Sequence, residues 1–265
     1  MSAMRIIRRR KALVTGAAAG IGRAIALALA REGADLFLID IDAEKLEAVA
    51  REARALGVTA IADICDLSDA AQISAAVKRL TAAWGGLDIL INNAGVTWYG
   101  PTETMTPAHW QRILAVNLLA PVQLFAELLP LLAAAEEAHV LNVCSMFGVA
   151  PWRKAAAYQT SKYGLVGFTA ALRVEFERED FGVTALCPGF VDTALLDGKA
   201  NDRAAPAWIS TTPETVARKA IGAIRRKRGL VLVTPAAHVY WRVARFAPRL
   251  TDWLLREGWR RRGRM

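Results

Sequence analysis

A chain of 265 residues, 54% of them hydrophobic, is long enough to bury a substantial core as one large α/β domain or two small ones. Its formal net charge of +9 is uneven: residues 1–11 carry +5 and residues 236–265 carry +6, which leaves −2 for the body between them. A nearly neutral body argues against nucleic-acid binding, three widely spaced cysteines (Cys65, Cys144, Cys187) against a disulfide framework, and three histidines without ligand spacing against a metal centre.

Arg8–Lys11 ahead of Ala12–Val14 has the outline of a signal sequence, but Gly16, Gly20 and Gly22 interrupt the apolar stretch. The expectation is instead a strand and a glycine loop in a cytoplasmic protein. From there short apolar runs recur as buried strands: Ala12–Thr15, Asp35–Ile39, Thr59–Ile64, Ile89–Asn92, Val140–Val143, Val183–Leu186 and Leu230–Val233. Between them lie stretches with helical spacing, among them Ile21 to Glu32, Ala43 to Ala55 and Ala70 to Trp84. Gly33, Gly57, Gly85 and Gly229 read as helix stops. No uncharged apolar run is long enough for a membrane span; the longest, Ile113 to Ala126, is interrupted by Asn117 and Pro121 and reads as a buried amphipathic helix. Strands alternating with helices predict an α/β fold, a single doubly wound Rossmann-type domain with a seven-stranded parallel sheet, over residues 5–235. Residues 236–265 form a basic, tryptophan-containing helical appendix.

Two patterns carry chemistry. Strand 1 ends in Thr15-Gly16-Ala17-Ala18-Ala19-Gly20-Ile21-Gly22 and runs directly into a helix. Glycines allow a tight turn and a close approach to a pyrophosphate, which the positive end of the helix attracts. Asp40, twenty-four positions after Gly16 at the end of strand 2, suits the two adenosine ribose hydroxyls and repels a 2′-phosphate, so NAD is favoured over NADP. The second pattern, Tyr158-Gln-Thr-Ser-Lys162, sets a phenol and an ammonium one turn apart on one helix face. YxxxK alone also occurs on ordinary solvated helices. Here it follows Ser145 at the carboxyl end of strand 5, where open α/β sheets bind ligands.

These motifs resemble the short-chain dehydrogenase/reductase family, and the match runs from residue 11 to about 195. The resemblance implies that Thr15, Gly16, Gly20, Ile21 and Gly22 cradle the cofactor, that Asp66 meets the adenine ring, and that Asn92-Asn93-Ala94-Gly95 supports the sheet beside it. It makes Asn117, Ser145, Tyr158 and Lys162 the catalytic set. Pro188, Gly189, Val191 and Thr193 then hold the nicotinamide end, and Lys162 its ribose. Asn117 is expected to kink its helix and anchor a water; a mid-helix polar residue satisfying backbone is the plain alternative, and the two are compatible. Cys144 departs from the family, many of whose members carry a serine there. A free phenol titrates near ~10, and the cations beside Tyr158 favour its phenolate, which tunes it for proton transfer.

By analogy the substrate pocket is lined by Thr97, Trp98, Tyr99, Met146, Phe147, Trp152, Leu195, Leu196, Trp208 and Ile209, which suits a lipophilic alcohol or ketone; the alternative is that several pack the core or a subunit interface. In the appendix, two amphipathic helices broken at Pro248 either pack over the pocket or a neighbouring subunit, or lie against a membrane surface; an acidic carrier or thioester is a third partner for their arginines. The expected protein is an NAD-linked dehydrogenase of a hydrophobic secondary alcohol, assembled as a homodimer or homotetramer through the long helices after Pro107 and around Tyr158. Its rivals are a 3-oxoacyl-thioester reductase and a non-catalytic NAD-binding regulator.

Overall fold

The computed structural model describes residues 7–176, 178, 180–191 and 210–262, with side chains as far as residue 257. Alternation of strand and helix builds one parallel sheet: β1 (Lys11–Thr15), α1 (Gly20–Arg31), β2 (Asp35–Asp40), α2 (Ala43–Ala55), β3 (Ala60–Ile64), α3 (Ala70–Trp84) and β4 (Ile89–Asn92) make the first half. The second half comprises α4 (Pro107–Leu114), α5 (Ala120–Ala134), β5 (Ala138–Val143), α6 (Ala156–Phe176), β6 (Phe181–Cys187), β7 (Phe190–Val191), β8 (Ser210–Thr211), α7 (Pro213–Arg226) and β9 (Leu230–Leu232). The strand order β3-β2-β1-β4-β5-β6-β9 reverses direction between β1 and β4, the topological switch point at which such sheets bind ligands. The expected α/β fold with seven parallel strands is what the chain adopts. The β7–β8 pair, two residues on each side, was not anticipated.

The sheet is buried on both faces, which is why its strands read as unbroken apolar runs. On one face Val14, Leu36 and Leu38 pack with Ile25 and Leu29 of α1 and Ile224 of α7. On the other, Leu13, Phe37 and Leu90 meet Ile73 and Leu80 of α3 and Leu124, Leu128 and Leu132 of α5. The helix from Pro107 to Ala134 is, by length and composition, apolar enough to cross a membrane, but this core-facing row explains the pattern. Its continuity is broken by a π-turn at Ala115–Leu119, with Asn117 inside it.

Helix stops follow the glycines at Gly33, Gly57 and Gly85, all with positive φ. At the end of α7 the left-handed position falls on Lys227 (φ 45°) instead of Gly229. Gly229 has another reason to be glycine, because a Cβ there would stand 2.4 Å from the Arg173 guanidinium.

Beyond β9 the chain forms two more helices, α8 (Pro235–Phe246) and α9 (Pro248–Arg262), separated at Ala247. Tyr240 and Trp241 turn inward onto a cluster that contains Met146, Phe147 and Tyr158. Val239, Phe246, Leu250, Trp253 and Leu254 stay exposed.

Candidate active site

Four loops at the carboxyl ends of β1, β4, β5 and β6 converge. The glycine loop is drawn against β4 by two neighbouring residues. Thr15 Oγ1 accepts the Asn93 and Ala94 N–H groups at 3.0 and 3.1 Å, while Asn93 Nδ2 donates to the Thr15 and Gly16 carbonyls at 2.9 and 3.1 Å. That clasp leaves no room for side chains: Gly16 has φ +64°, and a Cβ on Gly22 would lie 1.9 Å from the Gly16 carbonyl oxygen. α1 then begins at Ala19 with no side-chain cap and no acidic residue in its first turn, whereas α2, α3, α7 and α8 are capped by Asp42, Asp69, Thr212 and Thr234. The first N–H groups of α1 are therefore left for a ligand, and the positive dipole end suits a phosphate. Asp40 is held at the end of β2, where its carboxylate accepts N–H groups from Ala18 at 3.0 Å and Ile41 at 2.7 Å.

The second half of the site is set by β5 and α6. Ser145 opens a single 3₁₀ turn, and its Oγ accepts the Phe147 N–H at 3.1 Å. Lys162 Nζ donates to the Val143 carbonyl at 2.9 Å and lies 5.8 Å from the Tyr158 ring centre. Burial, and secondarily the neighbouring Tyr99, pushes the Tyr158 phenol well above its ordinary range, while a hydrogen bond with Ser145 pulls the other way. Burial also pushes the Lys162 ammonium down. Each shift marks a group removed from water whose charged form awaits a partner.

Asn117 ties these parts together. Its side chain accepts the Val96 N–H at 2.8 Å and donates to the Val96 carbonyl at 2.9 Å and to Ser161 Oγ at 3.0 Å. Ser161 in turn donates to the Tyr158 carbonyl at 2.6 Å. The helix is thus locally widened around a buried amide that fixes both the loop after β4 and the turn carrying Tyr158. Behind it, Asn92 donates to Asn142, and Asn142 to Thr169, both at 2.8 Å, linking β4, β5 and α6.

A cavity of about 280 Å³ joins the two halves, from Gly16, Gly20, Ile21 and Asp40 through Asn93, Ala94 and Gly95 to Ser145, Tyr158 and Lys162. Pro188, Gly189, Val191, Met146 and Phe147 also border it, as does Tyr99. Its charged lining residues are Asp40, at the end of β2, and Lys162 of α6, whose Nζ reaches the end of β5; those two strands stand three strand spacings, about 14 Å, apart. The uncapped helix, the glycine cradle and the elongated shape fit a nicotinamide dinucleotide.

Several expected residues stand elsewhere. Thr97 and Trp98 are outside the lining, and Trp98 instead stacks on His109 with ring centres 5.5 Å apart. Trp152 faces a second cavity under α8 and α9. Asp66 sits on the loop after β3, outside the cavity lining, where hydrogen bonds from Ser68 hold its carboxyl below the usual range. Thr193, Leu195, Leu196, Trp208 and Ile209 lie outside the described residues. Phe190 and Cys144 line the cavity without having been expected there. Phe190 was legible only as a neighbour of Pro188-Gly189. The neighbouring Cys144, and then burial, push the Cys187 thiol up, which keeps it a protonated packing group.

The same architecture recurs in known proteins. EphD of Mycobacterium tuberculosis, named a probable oxidoreductase, is 34% identical over 254 residues, covering 89% of this chain but 43% of that protein. The chain therefore spans less than half the length of that relative. D-beta-hydroxybutyrate dehydrogenase of Cupriavidus necator is 34% identical over 198 residues, 74% of this chain and 76% of that one. Among solved structures, a short chain dehydrogenase/reductase from Burkholderia phymatum in complex with NAD superposes with a TM-score of 0.84 at 26% identity, covering 93% and 96% of the two chains. A metagenomic short-chain oxidoreductase in complex with NADP gives 0.73 at 36% identity, covering 86% and 98%. The family model for short chain dehydrogenases matches residues 10–204, and this chain belongs to that family.

Proposed function

We propose that the protein interconverts a lipophilic secondary alcohol and its ketone, with NAD(H) as cofactor. The observation that carries this reading is the meeting of Ser145, Tyr158 and Lys162 in one cavity with an uncapped helix start and Asp40. When bound, the nicotinamide cofactor takes up or supplies the hydride.

The chain's own residues do the rest. Ser145 Oγ, fixed by the Phe147 N–H, positions the substrate oxygen. The Tyr158 hydroxyl donates a proton to the carbonyl oxygen during reduction and removes it from the alcohol during oxidation. Lys162 supplies a positive charge that lowers the cost of the phenolate, and it has a donor to spare beyond its bond to Val143. Asn117 acts through Ser161 and the Val96 backbone, so it positions the centre without touching the reacting atoms. Asp40 accepts hydrogen bonds from a ribose diol and repels a 2′-phosphate, which is the ground for NAD over NADP.

A second reading is reduction of a 3-oxoacyl thioester. It draws on the 3-hydroxy acid in the name of the Cupriavidus relative and on the NADP in the metagenomic structure. Purified protein is to be assayed for NADH formation with NAD⁺ and secondary alcohols from polyols to steroids and long-chain carbinols. Turnover limited to lipophilic alcohols and lost in Tyr158→Phe is the expected outcome. NADPH consumption with 3-oxoacyl thioesters, and none with the alcohols, transfers the assignment to the second reading.

A further inference from the structure

The catalytic cavity is small for what it must hold. At about 280 Å³ it lies at the low end of ligand pockets, which run from roughly 300 to 1,000 Å³. Among the described residues much of its lining is also the cofactor's cradle, so little of this volume is left beside Ser145 for the substrate. The bulk of a lipophilic substrate needs another room.

One adjoins it. Under α8 and α9 lies a cavity of about 580 Å³, walled by Met146, Trp152 and Phe190 on one side and by Val239, Val243 and Leu254 on the other. Met146 and Phe190 border both cavities, so these two side chains stand between them. One of the two is a flexible thioether chain that repacks at little cost.

Each side-chain hydroxyl in the second wall makes a hydrogen bond within the protein. Thr234 Oγ1 accepts the Ala237 N–H, the Thr251 hydroxyl donates to the Ala247 carbonyl, and the Tyr240 hydroxyl donates to the Pro151 carbonyl. With each of these hydroxyls engaged once and the rest of the lining largely apolar, the room favours hydrocarbon. Its shape is fixed from the catalytic side. Trp152 stacks on Phe147 with centres 5.0 Å apart and meets Phe190 and Tyr240 edge-on, while the Arg153 guanidinium donates to the Leu255 carbonyl at 3.1 Å.

We infer that the C-terminal helix pair builds a tail chamber: the carbinol end of the substrate sits at Ser145 and Tyr158, and a linear alkyl chain passes Met146 and Phe190 into the space under α8 and α9. This rests on the reading of the protein as an alcohol–ketone oxidoreductase. On its helical side the chamber is built by residues beyond 204, where the family-model match ends, whereas Met146, Trp152 and Phe190 belong to the matched segment.

The test is a chain-length series of 2-alkanols from butan-2-ol to dodecan-2-ol. Each methylene entering an apolar room gains about 0.8 kcal/mol, so kcat/KM rises roughly fourfold per carbon until the chamber is full. Leu254→Trp and Val239→Trp fill the chamber from positions that are more than half exposed, so the fold tolerates the bulk. Either lowers the dodecan-2-ol to butan-2-ol ratio of kcat/KM at least thirtyfold. Calorimetric titration of the Tyr158→Phe protein with octan-2-ol reads the chamber without turnover, and adding Leu254→Trp weakens that binding about tenfold. A flat chain-length profile with normal turnover of short alcohols overturns the chamber and leaves the enzyme reading intact. Absence of turnover with octan-2-ol binding that Leu254→Trp abolishes overturns the enzyme reading and keeps the chamber. Neither turnover nor binding overturns both.

Discussion

At the amino ends of its strands the sheet is sealed by charge, whereas at the carboxyl ends it is left open. Ahead of β1, Arg10 reaches Asp88 and Glu137, both at 3.1 Å, and Asp88 also accepts the Lys11 N–H at 2.7 Å. Lys11 Nζ donates to the Trp84 carbonyl at 2.8 Å, and Asp35 accepts the Thr59 N–H at 2.7 Å. Every one of these groups finds its partner inside the protein. At the other edge, the α1 N-terminus has no cap, and Tyr158 and Lys162 are stripped of water. At one edge the charged groups just named are satisfied and contribute stability; the other holds its groups in suspense for a ligand, and that costs stability. Substitutions at the two edges are therefore expected to separate activity from stability.

The largest separation falls on Tyr158. Removing its hydroxyl in Tyr158→Phe lowers kcat about a thousandfold, the scale of a lost general acid–base, while the urea midpoint moves little. A comparable loss of stability would place Tyr158 among the packing residues instead.

The next effect belongs to the amino edge and appears with pH. His139 is fully buried at the start of β5, with its Nε2 2.9 Å from the Thr184 hydroxyl. Burial first, then Lys227, lowers its pKa to about 3. The folded-state value lies below the unfolded one of about 6.5, so the unfolded chain takes up the proton first as pH falls. The resulting stability is whole above pH ~6.5, is reduced by about 2 kcal/mol at pH 5, and goes on falling towards pH 3. Urea unfolding between pH 7 and 5 measures this, and His139→Gln flattens the slope. An unchanged slope in that variant assigns the acid sensitivity to another group.

A smaller effect is expected at Asp88. Asp88→Asn weakens its bonds to Arg10 and the Lys11 N–H and costs about 1.5–2 kcal/mol of unfolding free energy, with kcat unaltered. The mirror case at the open edge is Asp40→Ala. The NAD over NADP preference in kcat/KM falls about tenfold, or ~1.4 kcal/mol, and the thermal midpoint falls too, because the Ala18 and Ile41 N–H groups lose their acceptor. A preference that stays constant removes Asp40 from cofactor discrimination.

The sequence made the open edge easier to read than what covers it. Buried parallel strands are continuous apolar runs, so all seven were legible within a residue or two of where they run, and α2 and α3 ran as expected. The glycine loop, Asn93, Ser145, Tyr158 and Lys162 lie in local patterns whose spacing reports geometry directly. Trp98 misleads because sequence adjacency to Gly95 suggests a pocket wall, while stacking on His109 decides where the ring goes. The surroundings of Trp152 depend on Tyr240, eighty-eight positions later, returning to meet it, which no local pattern around Trp152 reports. The apolar faces of α8 and α9 were visible; what they would enclose is a non-local fact that no period or motif carries.

The widened turn around Asn117 bears on how this chain can change over time. A π-turn contains one residue more than the helix around it needs, and each residue sets a rotation of about 100°. Deleting Leu118 would close the turn into regular helix and swing α4 by that angle against α5, carrying the Leu124–Leu128–Leu132 row out of phase with whatever precedes it. Between Ala115 and Leu119, then, insertions and deletions are excluded more strictly than substitutions: here it is the count of residues, not only their identity, that is inherited.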